Sequence, residues 1–207
     1  PEATRLLVRS MEEYNCDMVI SDFYRVSGER LAQKGDIEED KVMSRQEFAS
    51  YMIENPADFY YGVLWNKMYR RSIIEEYHIR MDTSISWCED FLFNLEYIRH
   101  AESFFALQVP IYYYLKRRGS LVSQGASITN TVRMKSNIFE YYNEFYKDVY
   151  EDKDYADIRL QVYSFLWAAA KDGGVLAGSK KLGEERRRIT REEVEGNGAV
   201  IGQYRFR

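Results

Sequence analysis

The stretch Asp17-Met18-Val19-Ile20-Ser21 constrains the chain most. It is a short apolar run rich in β-branched residues, with no polar alternation, and it predicts a strand buried on both faces. Such a strand needs covering layers on each side, which points to an α/β architecture. The neighbouring patterns supply those layers. A helix is expected over 3–14, with Leu6, Leu7, Met11 and Tyr14 towards one side. Phe23–Val26 and Leu31–Gln33 flank a Ser-Gly turn and predict a hairpin. Ser44-Arg45-Gln46-Glu47 is a capping box that opens a helix carrying Phe48, Tyr51 and Met52 and ending before Pro56.

The aromatic stretch from Asp58 to Met81 holds a short helix at Ser72–Tyr77. Ser86-Trp87-Cys88-Glu89 reads as a second capping box, and the helix after it sets Phe91, Leu92, Leu95 and Ile98 on one face. Phe104–Val109 and Ile111–Leu115 read as two strands broken by Pro110. Beyond Gly125 the pattern becomes helical, first through Met134, Ile138, Tyr141 or Tyr142, and Phe145, then through Ile158, Val162, Phe165, Leu166 and Ala169. The expected division is therefore an α/β body over 1–125 and a helical C-terminal appendage over 126–207. Glycines 173, 174, 178 and 183 mark a loose connection, and the surroundings of Arg186–Arg188 carry too little apolar patterning to assign.

Composition removes several function classes. A net charge of -4 argues against nucleic-acid binding. The two cysteines, Cys16 and Cys88, match no metal knuckle or redox pair and fit a reducing compartment. The two histidines, His78 and His100, leave little material for a histidine metal site or a Ser-His-Asp triad. No apolar run is long enough to cross a bilayer, and no secretory signal is visible. The first residue is Pro1, which suggests a beginning inside a longer protein.

The adjacent acids Glu89 and Asp90 admit two readings. Acids in a first helical turn oppose the helix dipole, worth about 0.3–1 kcal/mol. Alternatively, a carboxylate at the mouth of a pocket takes a proton from an attacking hydroxyl. On that second reading the dipole would keep Asp90 ionised, a weak base of low pKa that needs a very good leaving group.

Three segments bear on the choice: LWNKMYRRSII at 64–74, WCEDFLFNLEYI at 87–98 and VPIYYYLKRRGSLV at 109–122. Together, in this order and spacing, they resemble the C-terminal, acceptor-side half of family 2 glycosyltransferases. These are GT-A-fold enzymes, many of which build bacterial surface polysaccharides. The resemblance covers roughly residues 1–125. It implies a partial GT-A (Rossmann-like) mixed sheet without its N-terminal nucleotide-binding half. It also implies an inverting, hexosyltransferase-like enzyme that moves a sugar from a nucleotide diphosphate donor to a glycan or lipid-linked acceptor.

On this resemblance Asp90 is the catalytic base and Glu89 its support or an acceptor-hydroxyl ligand. Trp87 shapes the acceptor site, and Trp65 offers it a stacking face unless that ring is core packing. Asn66 and Lys67 position the acceptor region, the alternative being a capped turn with a solvated lysine. Lys116, Arg117, Arg118 and Ser120 belong to the loop that closes over the donor diphosphate, where Gly119 lets the backbone approach. The alternative there is a solvated basic turn.

The resemblance further implies a divalent metal, Mg or Mn, whose Asp-x-Asp ligands would lie just before Pro1. No metal site is expected in this chain. Asp152-Lys153-Asp154 copies the letters in a charged turn with no strand in front, and Asp22 reads as a turn residue. Alone, the chain would be inactive. A split sheet would expose an edge, to be covered by the tail or by a second copy. Catalysis would be cytoplasmic, at the inner membrane face, with peripheral membrane contact. Two rivals remain: a non-catalytic glycan-binding or protein-interaction module that keeps the acceptor cleft, and a helix-rich scaffold.

Overall fold

The computed structural model describes residues 2–27, 30–56, 58–83, 85, 88–115, 128–171 and 187–189. Strand β1 (Met18–Ser21) is buried along its whole length, as its composition requires. It pairs in parallel with β6 (Ser103–Leu107) and antiparallel with β5 (Lys67–Tyr69), while β4 (Val42–Ser44) runs antiparallel to β6. The first sheet therefore has the order β4-β6-β1-β5.

A second sheet continues from the first. β2 (Phe23–Ser27) and β3 (Arg30–Lys34) form the expected hairpin, with Val26 opposite Leu31. β7 (Tyr113–Leu115) lies parallel to β2, and β8 (Arg187–Ile189) lies antiparallel to β3. Asp22 is the seam between the sheets. Its N–H donates to the Leu107 carbonyl at 3.1 Å and its carbonyl accepts from Ile111 N–H at 3.1 Å, so pairing carries across the break near Pro110. The Asp22 carboxylate is buried and accepts from Gln33 Nε2 at 2.9 Å. A Cβ on Gly35 would stand 1.9 Å from its Oδ1, so only glycine fits beside it.

The first sheet is covered on both faces. Val19, Phe105 and Leu107 meet Leu6 and Leu7 of α1 (Glu2–Glu13). Met18, Ile20, Phe104 and Ala106 point the other way, to α2 (Arg45–Glu54) and α5 (Glu89–His100), and contribute to one core with Phe48, Phe91, Leu95 and Ile98. Each large apolar side chain fully buried there contributes about 1.5–3 kcal/mol. The helices α6 (Ile128–Val149) and α7 (Asp152–Lys171) place Tyr142, Phe145, Val162 and Phe165 in that same core. Tyr142 is the inward member of the tyrosine pair, and Tyr141 is exposed.

The short helix expected at 72–77 is α4 (Arg71–Glu76). The Ser44 capping box forms in both directions. The second capping box does not: α5 starts at Glu89, and its N-cap is Cys88, a left-handed residue without a side-chain cap. Asp152-Lys153-Asp154 is the exposed first turn of α7 rather than a turn between helices. Strand β8 was not legible in the sequence. It adds backbone partners along β3, so the tail covers that edge of the second sheet. The glycines at 173, 174, 178 and 183 lie outside the described residues. The α/β fold with a mixed sheet followed by helices is as expected.

Candidate functional site

Two short elements carry the site between β1 and α5. Asp58 caps α3 (Phe59–Gly62) by accepting from Tyr60 N–H at 2.7 Å. The chain then turns through Leu64-Trp65-Asn66 into Lys67, the first residue of β5. A four-residue helix ends with orphan carbonyls, and here they are taken up by buried side chains instead of water. Asn66 is fully buried, and its Nδ2 donates to the Ser21 and Tyr60 carbonyls, each at 3.1 Å.

Lys67 is the unusual member, with 7% of its surface exposed. Its Nζ donates to the Tyr60 carbonyl (2.9 Å), the Val63 carbonyl (2.5 Å) and Asn66 Oδ1 (2.9 Å). Three acceptors match the three N–H bonds of an ammonium. Burial pulls its pKa well below that of an ordinary lysine, and the charges of Asp90 and Asp58 oppose that pull. The solvated-lysine alternative is therefore replaced by a buried, fully bonded one.

From the other side, α5 lays Asp90 and Asn94 against this turn, four residues apart and so on one helix face. Asp90 is half-buried, and the backbone N–H of Leu64 favours its charged form. Burial raises its pKa, the adjacent Glu89 charge raises it further, and Lys67 and the Leu64 N–H pull it back. The net direction is upward, opposite to the low value expected from the helix dipole. Desolvation outweighs the dipole because the carboxylate faces a packed turn rather than open water. A carboxylate with raised proton affinity that keeps part of its surface in solvent is suited to general-base work.

Asn94 was not singled out by sequence reasoning. It is fully buried and donates through Nδ2 to the carbonyls of Tyr61 (3.0 Å), Gly62 (2.9 Å) and Val63 (3.4 Å). Its Oδ1 accepts from the Tyr69 hydroxyl at 2.6 Å. The available signal was an asparagine one turn after Asp90 on the helix's apolar face, where neither propensity nor burial favours it. Tyr69 faces Asp90 as well. Burial and that charge hold its phenol well above the ordinary range, so it stays neutral.

Trp65 is partly buried within an aromatic box. Tyr112 stacks on it at 4.2 Å, Tyr114 lies parallel at 5.8 Å and Phe23 meets it edge-on at 4.9 Å. Tyr112 remains exposed at the rim. The structure thus brings together Asp90, Glu89, Lys67, Asn66 and, through the shared turn, Trp65. Trp87 and the loop residues Lys116, Arg117, Arg118 and Ser120 lie outside the described residues. Among the described residues no group of three or more His, Cys, Asp or Glu side chains could hold a metal ion.

A mixed sheet covered by helices on both faces and followed by a helical part has the fold of part of a GT-A-type glycosyltransferase, as the likenesses below show. No family model matches the chain. In sequence it is similar to the uncharacterized glycosyltransferase EpsJ of Bacillus subtilis (strain 168), at 27% identity over 116 residues, which is 56% of this chain and 34% of EpsJ. In structure it is similar to residues 1–349 of S. aureus TarS in complex with UDP-GlcNAc. The TM-score there is 0.51 at 17% identity, covering 80% of this chain and 44% of that one. The chain thus spans about a third of the curated relative's length. Among the described residues no helix is long and apolar enough to cross a membrane.

Proposed function

We propose that this chain is the acceptor-side part of an inverting family 2 glycosyltransferase. It would act in cell-surface polysaccharide synthesis, with residues 1–125 as the catalytic body and 126–207 as its helical extension. The observation that carries the reading is Asp90: a half-buried carboxylate at the start of a helix, raised in proton affinity by burial and by the adjacent Glu89. The donor is a sugar nucleotide, the class bound by TarS in its complex with UDP-GlcNAc. On this reading most of the donor site belongs to the rest of the enzyme, and the chain by itself does not turn over.

In the reaction, the acceptor hydroxyl oxygen attacks the anomeric carbon from the face opposite the diphosphate. Its proton passes to the Asp90 carboxylate. The bond from the anomeric carbon to the diphosphate oxygen breaks, and the diphosphate leaves with the electron pair. Glu89 ligates a second acceptor hydroxyl or supports Asp90. Trp65 and Trp87 form the acceptor walls, while Asn66 and Lys67 hold that region from beneath. Lys116, Arg117, Arg118 and Ser120 meet the charge that builds on the leaving group. A divalent ion such as Mg or Mn would neutralise the same diphosphate. The described residues offer no cluster to hold it, so no step here runs through it. Such chemistry belongs on the cytoplasmic side, at the inner membrane face.

The test is transfer by the complete enzyme containing this chain, with wild-type and Asp90→Asn forms compared. Loss of transfer by at least ~100-fold, the scale of a removed general base, with donor affinity unchanged, is expected. Turnover near wild type would remove the assignment and favour a glycan-binding module.

A further inference from the structure

The second sheet is cationic in a chain whose net charge is -4. Its strands carry Arg25, Arg30, Lys34, Arg187 and Arg188, and none of the four holds an aspartate or glutamate. Strand register sorts these positions by face. Arg25 lies between Tyr114 of β7 and Ala32 of β3. Side chains alternate along a strand, so Arg25 shares a face with Phe23, two residues before it, and with Lys34 and Arg30 on β3. Phe23 meets Trp65 edge-on at 4.9 Å, and Tyr114 lies parallel to the same ring. The face that carries Arg25 is therefore the face that carries the aromatic box. Tyr24 and Tyr113 pair on the opposite face, with ring centroids 5.0 Å apart. Arg25 is half-buried, and among the described residues no hydrogen bond or ion pair joins its guanidinium to an acceptor. Its cross-strand neighbours, Tyr114 and Ala32, bring no negative charge. A guanidinium withdrawn from water without an anion is costly, and its planar fork matches the oxygens of a phosphate or a carboxylate.

Tyr112 stands at the outer end of the box. It covers Trp65 at 4.2 Å and keeps 41% of its own surface exposed. The ring offered to a ligand is thus Tyr112, backed by Trp65. An aromatic wall with one charged group beside it is the ordinary make-up of a site for a small polar ligand. We propose that this face of the second sheet takes an acidic acceptor: a sugar stacked on Tyr112 whose phosphate or carboxylate binds Arg25. The inference rests on the reading of the Trp65 box as an acceptor wall, and it names the class of acceptor that wall serves. Arg25 is in register with Tyr114 of the box, not with the loop at 116–120 assigned to the donor.

The experiment titrates the 207-residue chain with glucose, glucuronic acid and glucose 6-phosphate, read by NMR at the aromatic rings and the arginine side chains. At least one of the two acids is expected to bind about 10-fold or more tightly than glucose, the scale of one charge-assisted hydrogen bond. The tighter of the two identifies the anion as carboxylate or phosphate. Arg25→Gln should remove the preference and leave glucose unchanged, while Tyr112→Ala should weaken all three. Circular dichroism checks that both variants are folded. No binding of either acid, no preference over glucose, or a preference that survives Arg25→Gln would overturn the proposal. Three controls can overturn it as well. UDP displacing the acids from Arg25 would assign the charge to the donor. Inorganic phosphate binding as tightly as glucose 6-phosphate, both indifferent to Tyr112→Ala, would mark a bare anion site. Phosphatidylglycerol vesicles capturing the chain through Arg25 while the acids do not bind would mark a membrane face. Preference for an acid without loss of transfer in Asp90→Asn would leave this site standing and remove the general-base reading; loss of transfer without the preference would do the reverse.

Discussion

Replacing Asn94 separates hydrogen bonding from packing at the centre of the site. The side chain is fully buried, so its bonds have no water to fall back on. Asn94→Leu is close in size but leaves the Tyr61 and Gly62 carbonyls and the Tyr69 hydroxyl without this partner. The Val63 carbonyl keeps Lys67. A buried polar group deprived of its partner costs about 1–3 kcal/mol, so these three groups together are expected to cost at least roughly 3 kcal/mol. Asn94→Asp is nearly isosteric, yet it removes both N–H donors and sets a carboxylate against carbonyl oxygens. It should cost at least as much as Asn94→Leu, although it conserves shape better. Tyr69→Phe combined with Asn94→Leu should show a coupling of about 1 kcal/mol for the bond they share. Urea unfolding followed by circular dichroism reads all of these. An Asn94→Asp variant less than about 1 kcal/mol from wild type would refute the claim that this network holds α5 to the turn.

Other expectations follow from local chemistry. Ser44→Ala should lose about 1 kcal/mol through the broken cap. Glu47, pulled down to about 2 mainly by the Ser44 N–H, then by Lys41 and the Ser44 hydroxyl, supplies stability that is present above the unfolded glutamate value. That contribution is lost as pH falls through about 2, and a urea series against pH should show it absent in Glu47→Gln. Cys88 holds φ at 65°, a left-handed conformation that costs a non-glycine residue about 1–2 kcal/mol. Cys88→Gly should therefore raise the urea midpoint, and a lowered midpoint would show that the thiol's contacts outweigh the strain. Gly35→Ala forces a methyl group into the Asp22 carboxylate and should cost about 1–3 kcal/mol in the same assay, with Asp22→Gly restoring much of the loss.

Much of the frame could be read from the chain because it is written locally. β1 announces itself by an apolar run, α2 by a capping box, and the β2–β3 hairpin by its turn. What escaped depends on partners far away in sequence. β8 is a strand because β3 offers it backbone groups, and nothing in Arg187–Ile189 says so. The second capping box failed because the chain enters α5 through a left-handed Cys88, a choice of entry path that spacing does not record. Asp90 stood out by its position and its neighbours in sequence. Its raised proton affinity did not, since that comes first from burial after folding and then from Glu89, against the opposing pull of Lys67 and the Leu64 N–H. For the same reason the sequence left Lys67 between an acceptor-positioning role and a solvated turn, and did not single out Asn94.

The central claim is that the proton of the attacking hydroxyl goes to Asp90. The most direct measurement sets the pH dependence of kcat/KM for transfer by the complete enzyme beside the ¹³Cγ titration of Asp90 in the same protein. The expected result is an acid limb whose midpoint coincides with that of Asp90 and lies above the ordinary aspartate value. An acid limb that tracks another group, or an Asp90 that titrates where transfer does not respond, would contradict it.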